Sequence, residues 1–441
     1  MNNSKIGLRK WASFILAGIV GQLAWAIENM FLNLYAFDCT QDYKFIPFMV
    51  AFSAAAATIT TLLMGALSDK LKKRKAFVAF GYILWGVSII AFAFLDPNNP
   101  VSMVYHAPFM AGVMIVVMDC VMTFFGSTAN DAAFNAFVTD NTVDENRGKV
   151  ESVLSIFPMI SMIIITVLQG LLVTKSGGVT QGWDIFFYVF GGLVLVSGIA
   201  CIFLLPKDNV VVKEDKKYIQ NLVYGFRPNV IKNNKMLYIV LIGFLLFNIA
   251  VQIFMPYFIV YIQNVLGIVE MNFMITLGVV LVVACIITVI FGLFMDKIGK
   301  NKIMIPALLF MAIGALLFFF AKDMVFVIIA GIIIITGFMV TTAVMGAKIR
   351  DYTPKEEAGS FQGVRMIFAV LLPMVTGPYI GEALFLINAH TYINEYGNEV
   401  LEPNQFMFLG VIAFLLLAIV PVVLLIKKEK EKNNNNDDTS K

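Results

Sequence analysis

Twelve stretches of mainly apolar residues, each about twenty residues or longer, run through this chain, and no other feature limits its fold so severely. The first spans Trp11–Tyr35, the fifth Val150–Thr174 and the last Gln405–Ile426. A helix needs about 20 apolar residues to cross the hydrocarbon of a bilayer. Of the 441 residues, 59% are hydrophobic and only 14% charged. Soluble domains are about 45–50% apolar and about 25% charged, so the solvent of this chain is lipid. That excludes a soluble enzyme, a secreted disulfide scaffold, a disordered protein and a nucleic-acid binder. Lys5, Arg9 and Lys10 precede the first stretch like the n-region of a signal peptide. The stretch is too long for an h-region, contains Glu28 and lacks a clear small-residue cleavage site, so it reads as a retained helix.

Basic residues set the orientation. Of the 32 lysines and arginines, Lys44, Lys175 and Lys322 fall on one side, Arg365 falls within a span, and all the others lie on the opposite side. Positive loops stay in the cytoplasm, so both termini are expected inside a cell membrane. The polar stretch Pro206 to Lys235 divides the spans six and six. The chain therefore reads as an all-α membrane protein of twelve transmembrane helices in two pseudo-symmetric six-helix bundles. Its parts are residues 1–205, a cytoplasmic linker 206–236, residues 237–426, and a charged, Asn-rich tail 427–441 expected to be disordered.

An internal repeat supports the division. GALSDKLKKRK, Gly65 to Lys75, follows the second span, and GLFMDKIGKNK, Gly292 to Lys302, follows the eighth. DNTVDENRG from Asp140 and DYTPKEEAG from Asp351 follow the fourth and tenth. The positive-inside rule accounts for the lysines of these loops but not for Asp69 and Asp296. The two Gly-x-x-x-Asp-(Lys/Arg) loops resemble the signature of the major facilitator superfamily. Lys72 stands where that signature usually has glycine, and Gly299 keeps it. The resemblance implies a secondary transporter working by alternating access, with Asp69, Arg147 and Asp296 as gating residues. Ala358 replaces the arginine in the second copy, so the two locks should be unequal.

A narrower resemblance is to sugar–cation symporters of the sucrose–proton and glycoside–pentoside–hexuronide type. GQLAWAIENMFLNLY, Gly21 to Tyr35, and KKRKAFVAFG, Lys72 to Gly81, are similar to segments of the sucrose carriers, which implies that Glu28 faces substrate. NDAAFNAFVTD, Asn130 to Asp140, looks like the fourth helix of the melibiose-carrier group, which implies that Asp131 holds a sugar. The sequence departs from that group in the second helix, where Pro47 to Leu67 has no acid, and in the fifth, which lacks its arginine. A proton is therefore expected as coupling ion ahead of sodium.

The residues themselves point the same way. A carboxylate at membrane depth must be paired, protonated or turned to a wet cavity. Gln22, Trp25, Glu28, Asn29 and Asn33 recur at steps of three and four, one stripe of a helix. Thr123, Ser127, Asp131 and Asn135 form a second, with Asn130 alongside, and Asp119 lies nearer the other end. The alternative for these stripes is hydrogen bonding between helices with no ligand. The second half offers Asn248, Gln252 and Tyr257, and Pro373 and Pro378 bracket Gly377 where the eleventh helix can bend. Arg365 either snorkels or neutralises a cavity carboxylate. Carboxylates and amides suit sugar hydroxyls, and Trp25 suits the apolar face of a ring. Substrate contacts are thus expected from Trp25, Glu28, Asn29, Asp131, Asn135, Asn248, Gln252 and Tyr257, with Glu28 or Asp131 carrying the proton. The same lining also suits amino acids, nucleosides or drugs.

Cys39, Cys120, Cys201 and Cys285 lie far apart and form no metal spacing or disulfide framework, and His106 and His390 sit in or beside loops. No metal, cofactor or catalytic set is expected. The partners expected are a small-molecule substrate, a sugar above others, a coupling cation and the lipid bilayer, with no nucleic acid, for a chain acting as a monomer. Two rival readings stand beside uptake: a proton-driven exporter of a drug or other metabolite, and a non-transporting membrane sensor or scaffold.

Overall fold

The computed structural model describes residues 6–142, 150, 153–154, 156–176, 179–208, 224–354, 358–393, 397 and 399–439. Most of them are helical, as they must be where lipid offers backbone N–H and C=O groups no partner. The first six helices are α1 Leu8–Thr40, α2 Phe45–Leu71, α3 Arg74–Phe94, α4 Pro108–Asp140, α5 Phe157–Leu172 and α6 Trp183–Leu204. The last six are α7 Lys235–Val265, α8 Glu270–Ile298, α9 Lys300–Phe320, α10 Met324–Tyr352, α11 358–385 and α12 Met407–Thr439. Among the described residues, 11 helices are long and apolar enough to cross a membrane, and α5 is a shorter apolar helix of 16 residues. The expected start of that fifth span falls partly on residues outside the described ones.

An even number of spans returns both termini to one end of the bundle, here called the terminal end. The opposite end carries two small antiparallel hairpins. β1 Thr174–Ser176 pairs with β2 Val179–Gln181 between α5 and α6, and β3 Thr391–Ile393 pairs with β4 Glu399–Leu401 between α11 and α12. This is the hairpin end. The first six helices meet the last six along α1 with α7, α2 with α11, and α5 with α8.

Small residues let the helices close in. A Cβ on Gly86 of α3 would strike the backbone of Gly191 and Leu195 in α6, and one on Gly198 would strike Ala79 and Ile83. In lipid, where burial gives no preference for helix over acyl chain, such close backbone approach is what holds helices together. Phe52, Ile59 and Leu63 of α2, and Phe80, Leu84 and Val87 of α3, remain exposed on the outer wall, where acyl chains cover them.

Charges gather at the terminal end. The Arg9 guanidinium donates to the carbonyls of Phe203, Leu204 and Leu205 at 2.7, 2.8 and 3.3 Å, closing the open carbonyls at the end of α6. Arg74 at the start of α3 pairs with Asp140 at the end of α4 (3.2 Å), and Lys300 at the start of α9 pairs with Asp351 at the end of α10 (2.7 Å). The repeated loops thus make similar ion pairs, with the basic partners one position apart in the repeat, since Arg74 aligns with Asn301 and Lys73 with Lys300. Glu429 of α12 accepts from Lys348 (2.7 Å), Tyr352 and Asn301. These bonds hold α12 against α9 and α10, and the helix runs on to Thr439 through the tail expected to be disordered. Lys and Glu through Lys432 are good helix formers, whereas the Asn and Asp residues beyond them are poor ones.

The repeat also explains its own departure. Lys72 ends α2 at φ 53°, and Gly299, its counterpart after α8, sits at φ 91°. Both turns use the left-handed region, where a side chain costs about 1–2 kcal/mol and glycine costs nothing. Lys72→Gly is expected to stabilise the protein by about 0.5–1 kcal/mol, the relief of strain less the added chain entropy. Gly299→Ala should destabilise it by about 1–3 kcal/mol. Thermal unfolding of the detergent-purified variants checks both signs.

Candidate functional site

A small cavity lies where the first six helices face the last six. Its wall comprises Glu28, Asn29 and Asn33 of α1, Met49, Val50 and Ser53 of α2, Asp119 of α4, Gln252, Met255 and Pro256 of α7, and Met374 of α11. A larger groove elsewhere, lined by Phe45, Phe48, Phe52, Phe109 and valines of α4, is almost wholly apolar and lies on the outer wall. Its polar lining residues are Asp42 and Lys44, and the rest is apolar, unlike the convergent polar groups of a solute site.

Local breaks in the helices shape this region. α1 widens into a π-helical turn at Ile27–Phe31, around Glu28, and α4 does so at Ser127–Phe134, around Asp131. α7 has one at Tyr261–Val265 and α11 one at Ile367–Leu371, two residues before Pro373. A π turn inserts a residue and rotates the face that follows, a feature common at functional sites. The α1 stripe is split as a result: Glu28 and Asn33 are buried while Asn29 is exposed.

Neighbouring helices approach closely enough to fix the polar groups. A Cβ on Gly21 of α1 would strike Asn130 and Tyr82. The Tyr82 hydroxyl donates to the Ala17 carbonyl (2.6 Å) and accepts from Asn130 (2.8 Å), so Asn130 ties α1, α3 and α4 together. Thr123 of α4 donates to Glu28 Oε1 at 2.9 Å. The Ser53 hydroxyl lines the same wall as Asp119, which is 1% exposed. On the other side Gly377 of α11 packs directly against Gln252 of α7, which brings the Gln252 amide to the cavity.

The candidates read from the sequence separate into groups. Glu28, Asn29 and Gln252 line the cavity. Trp25 lies one turn towards the terminal end with its ring 5.0 Å from that of Trp85. Asp131 is half-buried, accepts from Ser127 at 3.1 Å, and takes the Asn135 amide on its carbonyl at 3.1 Å. Asn135 itself is exposed, as is Arg365. Asn248 is half-buried and donates back to the Phe244 carbonyl (2.7 Å). Tyr257 is fully buried against Phe385 and donates to the Pro378 carbonyl (2.9 Å), so it joins α7 to α11 instead of lining the cavity. Arg147 lies outside the described residues, as do the side chains of Asp69 and Asp296. Asp119, left open by the sequence, and Asn33, Ser53, Met49, Met255 and Met374 join the wall. Among the described residues no group of three or more His, Cys, Asp or Glu is placed to hold a metal ion.

The two sets of helices meet at the hairpin end. There the Phe48 ring of α2 meets Tyr379 of α11 at 5.9 Å, and Gly170 of α5 meets Met274 of α8. Leu34, Asp38 and Gln169 face Gln263, Asn264 and Phe273 around a second small pocket. The exposed Asn29 therefore marks the open side of the cavity, towards the terminal end.

The sequence profile described as Major Facilitator Superfamily matches residues 14–378 and 271–441. No curated protein matches the chain. Among solved structures, a nucleoside transporter, NupG, superposes with a TM-score of 0.67 at 13% identity, covering 96% of this chain and 99% of its own. The xylose transporter XylE from E. coli, in a partially occluded inward open conformation, gives 0.64 at 15% identity, covering 94% and 97%. A bacterial homolog of the human lysosomal transporter Spinster, inward-facing and unoccupied, gives 0.64 at 11%, covering 96% of each chain.

The direction of opening is testable by thiol labelling. In a background with Cys120 and Cys285 replaced by alanine, Asn29→Cys should react with an impermeant maleimide supplied at the terminal end. Leu34→Cys, 2% exposed as leucine, should stay unlabelled. Labelling of Asn29→Cys only from the hairpin end would reverse the assignment.

Proposed function

The chain belongs to the major facilitator superfamily, and from that premise we propose that it is a proton-coupled importer of a sugar or glycoside. It is a secondary transporter, not an enzyme. The observation that carries the finer reading is the cavity between the first and last six helices. Two carboxylates, Glu28 and Asp119, and three amides, Asn29, Asn33 and Gln252, face it together. Carboxylates and amides bond sugar hydroxyls, and the Trp25 ring lies one turn away for the apolar face. A site near mid-membrane between two bundles is where alternating access requires it, since rocking the bundles exposes it to either side in turn.

Coupling follows from the acids. A carboxyl enclosed in the membrane can hold a proton and release it once the cavity meets water. Glu28 and Asp131 are the carriers in this reading, on α1 and α4, and both sit within π turns. The positive-inside pattern supports a terminal end, and so both termini, on the cytoplasmic side of a cell membrane. The superposed carriers of a nucleoside and of xylose both move hydroxylated solutes, which agrees with a sugar here.

The test is external pH in lightly buffered, de-energised cells expressing the protein, while mono- and disaccharides are added one at a time. Alkalinisation is expected with at least one sugar, and Glu28→Gln or Asp131→Asn should abolish it. A flat trace across the panel, with surface expression confirmed, would overturn proton–sugar symport and favour export of a non-sugar or coupling to sodium.

A further inference from the structure

Three buried oxygens on the cavity wall have no hydrogen-bond partner: Glu28 Oε2, Asn33 Oδ1 and Asp119 Oδ1. Their residues are 7%, 3% and 1% exposed. All three are acceptors. Neighbouring bonds occupy the rest of two of these groups. Thr123 occupies the other Glu28 oxygen, and the Asn33 amide nitrogen donates to the Asn29 carbonyl at 3.3 Å, which turns its oxygen away. Buried acceptors are ordinarily satisfied, so three on one cavity mark a missing donor.

The donors facing the same space are few. The Asn29 amide donates to the Trp25 carbonyl at 2.8 Å and the Ser53 hydroxyl to the Val50 carbonyl at 3.3 Å, the Gln252 amide is the remaining donor, and among the described residues no lysine, arginine or histidine lines the wall. A neutral sugar would need a separate hydroxyl for each acceptor, since each brings one donor, and it would leave the carboxylate charge without an offset. A carboxylate or phosphate would meet two acids with no cation. We infer that this set of oxygens receives the protonated primary amine of the substrate, so that the cargo is a hydroxylated primary amine such as an amino sugar. An alkylammonium presents three N–H donors to the three acceptors, and its charge offsets that of the carboxylates. Met49, Val50, Met255 and Met374 supply polarizable, adaptable contact for the carbon skeleton. The inference rests on the transport reading above and narrows its substrate. Asp131, 12 positions along α4 from Asp119 and about 18 Å away at the rise of a helix, is left to carry the coupling proton.

The probes are small enough to need no knowledge of the natural cargo: ethanolamine, choline, ethylene glycol and sodium chloride. Each is titrated into purified full-length protein, and affinity is read from the rise in melting temperature. Ethanolamine should bind at least about tenfold tighter than ethylene glycol, the advantage of a charged over a neutral hydrogen bond. Choline has the charge without the N–H groups and should bind no better than ethylene glycol. Asp119→Asn and Asn33→Leu should each remove the preference, and Asn33→Leu leaves both carboxylates in place should the first variant misfold. Absence of ethanolamine binding, or equal binding of choline or ethylene glycol, overturns the assignment. Sodium binding tighter than ethanolamine and lost in the same variants also overturns it, and makes the oxygens a sodium site. Solute-driven pH changes in cells separate the two readings: flux without amine preference removes only this inference, whereas no flux with any solute, amino sugars included, removes the transport reading.

Discussion

Carboxylates inside lipid have no water to lean on, and the arrangement of α1, α2 and α4 follows from that. Glu28, Asp119 and Asp131 lie far from the ends of their helices, where an unshielded charge is costly. Each is turned inward and given a hydroxyl close by: Thr123 for Glu28, Ser127 for Asp131, and Ser53 on the wall with Asp119. For the hydroxyl of α4 to reach Glu28, the helices must approach closely, and Gly21 has no side chain where Asn130 and Tyr82 cross. Helix packing and acid placement are thus one problem with one solution. The outer faces, relieved of polar groups, carry the exposed phenylalanines, valines and leucines that lipid covers.

The two sets of helices contribute unlike chemistry to the wall. The first six supply both of its acids; the last six supply Gln252, two methionines and Pro256. They are alike in how their helices are broken. π turns interrupt α1 and α4 at the acids, and α7 and α11 carry theirs beyond Pro256 and before Pro373. A π turn or a proline leaves the helix locally easier to bend. Of these, the α1 turn and Pro256 lie on the cavity wall, whereas the α4 turn begins eight residues beyond Asp119 and the α7 turn ends its helix.

Much of this was legible in the sequence because lipid makes polarity conspicuous. Glu28 and Asp131 stand out in apolar runs, and the repeated loops announced a duplication that reappears as the Arg74–Asp140 and Lys300–Asp351 pairs. Even the odd lysine at position 72 has its counterpart in Gly299, both at positive φ. What escaped notice lacked contrast. Met49, Met255 and Met374 are apolar residues among apolar residues, and periodicity does not say which of them faces a cavity. Asp119 was ambiguous because its depth along α4 says nothing of Glu28 opposite. The π turns depend on how helices meet, so a regular stripe of Trp25, Glu28, Asn29 and Asn33 did not reveal that Asn29 would be exposed between buried neighbours. Tyr257, next to Pro256, read as a lining residue, yet its hydroxyl is committed to the Pro378 carbonyl of α11.

The same electrostatic constraint supplies a reason for coupling. In the present arrangement the helices meet at the hairpin end, and the cavity opens towards the terminal end through Asn29. To pass to the opposite arrangement, the cavity must for a time be closed on both sides. With Glu28 and Asp119 ionised and, among the described residues, no cation on the wall, that closed state would enclose two like charges without water, a cost of several kcal/mol. A proton on one carboxyl, or a cationic group set among the three unpartnered oxygens, removes most of that cost. Under the proposed symport the carrier crosses only in states that offset this charge, and the empty carrier must reach such a state, with a carboxyl protonated, in order to return.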